Sequence, residues 1–117
     1  MFMQHVTIYT TRLGDSVAFY QEIVHLQIIS DRRPHAPMVF LANEKGETEI
    51  ELIEVPTEQA YTGSGLAIGF YTENAESEHE RLAGLGLEPT DIISPAPGVQ
   101  FFFVKDPNGV QIQLIRE

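Results

Sequence analysis

An offset of 62 residues relates the two halves of this 117-residue chain, and it constrains the fold more than any other feature. The offset places Tyr9 on Tyr71, Phe40 on Phe102, and the segment 50–53 (Ile-Glu-Leu-Ile) on the segment 112–115 (Ile-Gln-Leu-Ile). The matches are short, and chance similarity between hydrophobic strands is the alternative explanation. Their common order in both halves favours a duplicated unit. Because a unit of about 55 residues has a marginal core by itself, two such units are expected to pack together.

Each half has the pattern of a strand, a helix and then three further strands. In the first half, strands are predicted at 5–10, 26–31, 38–42 and 49–54, with an amphipathic helix at 14–24. In the second half, strands are predicted at 66–72, 87–92, 100–104 and 110–116, with a helix that Asn74 caps and that runs to about Leu85. Loops rich in Pro and Gly are predicted at 32–37, 55–64 and 94–98. We therefore predict an α+β fold of two tandem βαβββ modules, 1–55 and 63–117, within a single domain, 1–117.

Composition limits the function classes that need to be considered. The chain has seven Lys and Arg residues against seventeen Asp and Glu, a formal net charge of −10. Nucleic acid and anionic membranes are therefore poor candidates for partners, because binding to them depends on basic side chains. The chain has no cysteine, which excludes disulfides, thiolate nucleophiles and zinc–thiolate sites. There is neither an apolar run of about 20 residues nor a basic and then apolar leader, so a soluble cytoplasmic domain is expected.

Four segments resemble the vicinal oxygen chelate superfamily, which includes glyoxalase I, bleomycin-resistance proteins, fosfomycin-resistance proteins and extradiol dioxygenases. They are His5-Val6-Thr7-Ile8, the Ser-Val-Ala-Phe-Tyr segment at 16–20, Ile50-Glu51-Leu52, and the stretch 103–114 with its Asp-Pro-Asn-Gly turn. The turn, followed by an alternating strand, is the most specific of these. The resemblance implies paired βαβββ modules whose curved mixed sheets form a cup with the helices outside. It also implies a homodimer, in which module one of one chain usually faces module two of the other.

The resemblance further implies where a metal would bind. Metal-dependent members hold one divalent ion with four side chains, and the matching positions here are His5, Glu51, Ala67 and Gln113. Ala67 has no donor atom where the family usually has His, and Gln113 has a neutral amide where the family usually has Glu. A Ni²⁺, Zn²⁺ or Mn²⁺ ion on His5, Glu51 and Gln113 would therefore bind weakly or not at all. The alternative is that these polar groups line a metal-free pocket or bond to one another.

Two function hypotheses follow from this incomplete ligand set. One is a lyase or isomerase like lactoylglutathione lyase, acting on a small carbonyl or thiol-adduct metabolite with a divalent metal and with Glu51 as the catalytic carboxylate. The other is a metal-free protein of bleomycin-resistance type that binds a drug or metabolite. Whether the protein is an enzyme stays open. The His-His-Glu set of extradiol dioxygenases and fosfomycin-resistance enzymes is incomplete here because of Ala67.

Strand alternation predicts which side chains would face a ligand in the cup. They are Thr7, Tyr9, Ile53, Gly69 and Tyr71. The two tyrosines could stack on a flat ligand or could simply fill the cup. The missing side chain of Gly69 could leave room for a ligand or could mark a bulge.

Three further groups have both a functional and a structural interpretation. His79 lies on the second helix, where a half-buried structural role is favoured, and His25 follows the first helix and is interpreted as structural. The loop 32–37 contains Arg32, Arg33 and His35, the one basic cluster of the acidic chain. Such a loop could attract a carboxylate or phosphate, although a solvated loop is the favoured interpretation.

Overall fold

Each half of the chain forms one βαβββ module in the computed structural model, which describes residues 1–117. The elements of the first half are β1 (His5–Thr10), α1 (Leu13–Glu22), β2 (Gln27–Asp31), β3 (Met38–Ala42) and β4 (Glu49–Glu54), followed by a 3-10 turn at Thr57–Gln59. Those of the second half are β5 (Ala67–Tyr71), α2 (Ala75–Gly84), β6 (Ile93–Ala96), β7 (Val99–Lys105) and β8 (Gln111–Arg116). Both helices have ten residues, and neither is long and apolar enough to cross a lipid bilayer.

The two modules have the same sheet topology, which confirms the predicted α+β fold. The strand orders are β1-β4-β3-β2 and β5-β8-β7-β6, and in each sheet the first and last strands of the module pair in parallel. His5 pairs with Glu49 and Ala67 with Gln111, so the offset of 62 residues holds for these strands. The chain divides into two compact units, Met1–Gly63 and Ser64–Glu117. The single domain, 1–117, stays a prediction.

The predicted equivalence of Phe40 and Phe102 is wrong. Phe40 pairs with Glu51 in the first sheet, whereas Phe103 pairs with Gln113, the counterpart of Glu51, in the second. The cause is the length of the turn between these strands, which spans six residues, 43–48, in the first unit and five, 106–110, in the second. Phe103 is therefore the counterpart of Phe40, and both rings are half-buried.

The core of the first unit lies between α1 and one face of its sheet. Alternate residues of β1, β3 and β4 are buried on that face, among them Ile8, Leu41 and Leu52. Val17 and Tyr20 of α1 are buried against them at helical spacing. Burial of these residues leaves the alternate residues of each strand on the opposite face, where the predicted site residues lie.

The second unit repeats this arrangement with α2. Asn74 accepts a hydrogen bond from the backbone N–H of Ser77 at 3.0 Å, which confirms it as the N-cap. Leu82 and Phe102 are fully buried between the helix and the sheet. His79 packs edge-on against Phe102 at 5.1 Å, and its Nε2 lies 2.9 Å from the carbonyl oxygen of Thr90. These contacts support the structural interpretation of His79.

The strand predicted at 87–92 and the loop predicted at 94–98 are wrong. The strand is β6, Ile93–Ala96, and its ladder with β7 is irregular. Glu88 has a φ of 53°, in the left-handed region that interrupts an extended chain. Pro95 has no backbone N–H to donate to a neighbouring strand. It is tolerated in β6 because β6 is at the edge of the sheet and pairs on one side only.

Candidate functional site

Four side chains form a row across the first sheet, on the face opposite α1. Thr7 on β1 pairs with Glu51 on β4, Glu51 pairs with Phe40 on β3, and Phe40 pairs with Ser30 on β2. We call these four residues the transverse row. The positions of Thr7, Phe40 and Glu51 follow from strand alternation, because apolar residues next to each of them are buried on the helix side of the sheet. Ser30 belongs to the row through its pairing with Phe40.

Glu51 is a nearly buried carboxylate with donors from its own module. Its side chain is 11% exposed, and its Oε1 accepts a hydrogen bond from the hydroxyl of Thr7. The Nε2 atom of His5 lies 3.4 Å from the same oxygen. Burial of a carboxylate is unfavourable unless such partners are present. The structure thus brings together His5 and Glu51, the two predicted metal ligands of the first unit, together with Thr7, a predicted ligand-binding residue.

Phe40 and Arg32 complete this face on the other side of Glu51. The Phe40 ring is edge-on to the imidazole of His5, with 6.5 Å between the ring centroids. The guanidinium carbon of Arg32 lies 5.6 Å from the centroid of the same ring. Phe40 and Ser30 are not among the predicted site residues, although the alternation of β3 places Phe40 on the face of Glu51.

Tyr9 and Ile53, the remaining predicted ligand-binding residues of the first unit, are neighbours. They pair directly across β1 and β4, one step beyond the transverse row on the same face. Tyr9 is 47% exposed, so its ring adds accessible aromatic surface next to Thr7. The predicted ligand-binding residues of this unit are therefore contiguous.

In the second unit, the space above Gly69 is taken up by the side chain of Gln113. These two residues pair across β5 and β8, and a Cβ atom on Gly69 would lie 3.1 Å from Oε1 of Gln113. The pairing is continuous through Gly69, so the glycine does not mark a bulge. Tyr71 pairs with Ile115 and is 62% exposed. Gly69 thus lets the Gln113 amide lie close to the sheet.

The donors of either unit alone do not fit a catalytic metal ion. We call the four positions that match the metal ligands of the resembled family the ring positions. The first unit has two of them, His5 and Glu51. The second unit has Gln113 and Ala67, and Ala67 has no donor atom. The structure contains no group of three or more His, Asp or Glu side chains that could hold a metal ion. A catalytic zinc site usually has three protein ligands. The set of His5, Glu51 and Gln113 stays a prediction.

The two neighbouring arginines of the loop 32–37 have different partners. Arg33 donates to both carboxylate oxygens of Asp31, at 2.7 and 3.0 Å. These hydrogen bonds hold the pKa of Asp31 below its ordinary value of 3.8. Arg32 instead donates from Nε to the hydroxyl of Ser30 at 3.0 Å and lies over Phe40. Arg32, but not Arg33, thus contacts the transverse row.

Comparison with known proteins finds one family model that matches most of this chain. A family model described as "Glyoxalase/Bleomycin resistance protein/Dioxygenase superfamily" matches residues 3–114. A search of curated protein sequences finds no match.

Three solved structures illustrate the shared fold. A lactoylglutathione lyase from Agrobacterium tumefaciens is 17% identical, with a TM-score of 0.73 over 98% of this chain and 92% of that one. TnmS3, an antibiotic binding protein from Streptomyces sp. CB03234, is 18% identical, with a TM-score of 0.78 over 97% and 93%. The fosfomycin resistance protein FosX from Mesorhizobium loti is 15% identical, with a TM-score of 0.74 over 99% and 92%. Sequence identities this low show a common fold only, so the function of this chain has to be inferred from its candidate site.

Proposed function

This chain belongs to the glyoxalase/bleomycin resistance protein/dioxygenase superfamily, and we propose that it binds a small molecule, a drug or a metabolite. We propose further that it does so without a metal ion. The observation that carries the proposal is the environment of Glu51, whose Oε1 accepts from Thr7 and lies 3.4 Å from Nε2 of His5. A metal ion on this oxygen would compete with both contacts. The carboxylate is instead a fixed acceptor on the ligand-binding face.

The remaining ring positions add little that would favour a metal. Ala67 has no donor, and the Gln113 amide has no charge to offset the cost of dehydrating a divalent ion. The ring therefore has one carboxylate, Glu51, and one imidazole, His5. A polar face with a single carboxylate suits hydrogen bonding to an organic ligand better than it suits coordination of a metal ion.

Aromatic surface supports the binding of a flat ligand. Tyr9 and Tyr71 are both exposed, and Phe40 is half-buried beside Glu51. Small-molecule sites commonly combine apolar and aromatic walls with a few polar groups that fix orientation. In this proposal Thr7, Tyr9, Ile53 and Tyr71 contact the ligand, and Gly69 leaves the space that the Gln113 side chain occupies. TnmS3, with the same fold, is described as an antibiotic binding protein.

A second candidate is a metal-dependent lyase or isomerase acting on a small carbonyl or thiol-adduct metabolite. The proximity of Nε2 of His5 to Oε1 of Glu51 favours it, because both residue types are ligands in metal-dependent members. Gln113 would be the third ligand of a Ni²⁺, Zn²⁺ or Mn²⁺ ion, and Glu51 the catalytic carboxylate. This candidate is weaker because Glu51 would have to serve both as the one anionic ligand and as the base that moves a proton.

Metal independence can be tested by titrating the nitrogen-15-labelled 117-residue chain with naphthamide, a flat neutral probe, in EDTA and again with added nickel. We expect the same shifts of the Thr7, Tyr9 and Glu51 amide resonances in both conditions. Tyr9→Ala should weaken binding about tenfold, since it removes stacking and apolar contact. Leu85→Ala, which truncates an exposed leucine beyond α2, is the control and should have no effect. Binding that requires nickel, or the absence of shifts on this face, would contradict the proposal.

We further propose that the protein is a homodimer, as superfamily members often are. In this arrangement, module one of one chain faces module two of the other, so that the faces of Glu51 and Gln113 line one cup. Sedimentation is expected to give twice the chain mass of 13.1 kDa. A monomer at micromolar concentration would contradict this arrangement.

The cytoplasmic location and the exclusion of nucleic acid and membrane as partners stay predictions from composition.

A further inference from the structure

Arg32 is held in a defined position at one end of the transverse row. Its backbone N–H donates to the carbonyl of Met38 at 3.0 Å, and its carbonyl accepts from the N–H groups of His35 and Ala36, each at 3.0 Å. Its Nε donates to Ser30, and its guanidinium lies over the Phe40 ring. Both the backbone and the guanidinium group of Arg32 are thus held by contacts within the first unit.

The charge of Arg32 has no carboxylate partner, although acidic residues outnumber basic ones by seventeen to seven in this chain. Three other arginines form ion pairs: Arg12 with Asp15, Arg33 with Asp31, and Arg81 with Glu78. Arg32 uses only its Nε atom, so its two terminal nitrogens remain available as donors. An arginine that is fixed in position and uncompensated in charge has the features of an anion-binding group.

We propose that the ligand bound on this face carries an anionic group, a carboxylate or a phosphate, and that the terminal nitrogens of Arg32 bind it. This inference rests on the proposed small-molecule binding function. The two terminal nitrogens form a planar edge that matches two oxygens of either group. The accessible part of the Phe40 ring lies beside the guanidinium and offers apolar surface for the body of the ligand.

The charges along the row also set the orientation of the ligand. Glu51 lies between Thr7 and Phe40, and the Ser30 and Arg32 contact lies on the far side of Phe40. An anionic group near Glu51 would be repelled by its carboxylate, whereas the same group near Arg32 would be attracted. The anionic group therefore lies at the Arg32 end, and a hydrogen-bond donor of the ligand lies near Glu51.

The test compares three probes with the same aromatic body: naphthoate, naphthyl phosphate and neutral naphthamide, each followed by NMR titration of the 117-residue chain. At least one acid is expected to bind more tightly than the amide and to shift the Arg32 and Phe40 resonances. Arg32→Gln should weaken binding of that acid about ten- to a hundred-fold, the range expected for a charge-assisted pair. Arg32→Lys, which keeps the charge without the planar fork, should give a smaller loss. The comparison between carboxylate and phosphate identifies which anion fits.

Two controls separate this proposal from a structural role of Arg32 and from the proposed function itself. Lys45→Gln removes the same charge from the turn between β3 and β4 and should leave acid binding unchanged. Naphthamide should bind the Arg32→Gln variant as it binds the unsubstituted chain, which shows that the face is intact. Equal binding of acid and amide, or acid binding that survives Arg32→Gln, would overturn the anion proposal and leave small-molecule binding in place. Failure of all three probes to bind would overturn both.

Discussion

The double substitution Ala67→His with Gln113→Glu is expected to raise the affinity of the chain for Ni²⁺ by about a hundred-fold or more. It supplies a donor at position 67 and replaces the neutral amide at position 113 with a carboxylate, and loss of even a residue that supports a metal ligand costs about 10–100-fold in affinity. The positions are suitable because Ala67 pairs with Gln111, two residues before Gln113. His5 and Glu51 have this same relation in the first sheet, since His5 pairs with Glu49.

Calorimetric titration with nickel would measure the gain, with each single substitution as an intermediate. Leu85→His is the matched control, because it adds an exposed imidazole at a position outside the ring. It should not reproduce the effect of Ala67→His. An affinity unchanged by the double substitution would mean that Ala67 and Gln113 are not ring positions, and the alignment with the superfamily's ligand set would be wrong.

Truncation of Phe102 is expected to cause the largest loss of stability. Its ring is fully buried, lies between the sheet and α2, and contacts His79 edge-on at 5.1 Å. Phe102→Ala removes these contacts and leaves a cavity, and substitutions of this kind cost about 3–5 kcal/mol. Urea unfolding followed by circular dichroism would give the change in the free energy of unfolding.

Phe103→Ala is the matched control for this measurement. The Phe103 ring points to the opposite face of the same strand, is half-buried, and packs edge-on against Phe101 at 5.8 Å. Its truncation should therefore cost clearly less than that of Phe102. A larger loss from Phe103→Ala would contradict the assignment of Phe102 to the core and of Phe103 to the face that corresponds to Phe40.

The fold was predictable where local sequence signals agree with one another. β1, β3 and β4 begin and end at the predicted residues, because each is a run of alternating β-branched, aromatic or apolar residues, and Pro37 and Asn43 directly bound β3. β6 was not predictable, because its exposed residues include Pro95 and its position depends on irregular pairing with β7. The shift that makes Phe103 the counterpart of Phe40 comes from one residue of turn length, which a constant offset does not capture.

The candidate site was predictable only in part. His5, Thr7 and Glu51 follow from strand parity and from the resemblance to the superfamily, and they lie together in the structure. The contribution of Ser30 was not predictable, because the pairing of β2 with β3 is shifted between Ile28 and Ser30. The position of Arg32 over Phe40 depends on that pairing and on hydrogen bonds within the loop 32–37, which sequence patterns do not specify.

Calorimetric titration of the unsubstituted, metal-stripped chain with Ni²⁺, Zn²⁺ and Mn²⁺ tests the central claim most directly. The claim is that Glu51 is a fixed acceptor held by Thr7 and His5 and not a metal ligand. It predicts no binding of any of the three ions below about millimolar concentration, which corresponds to a binding free energy of about −4 kcal/mol. Micromolar binding of any of these ions that is lost in Glu51→Gln would contradict the claim and would favour the metal-dependent enzyme.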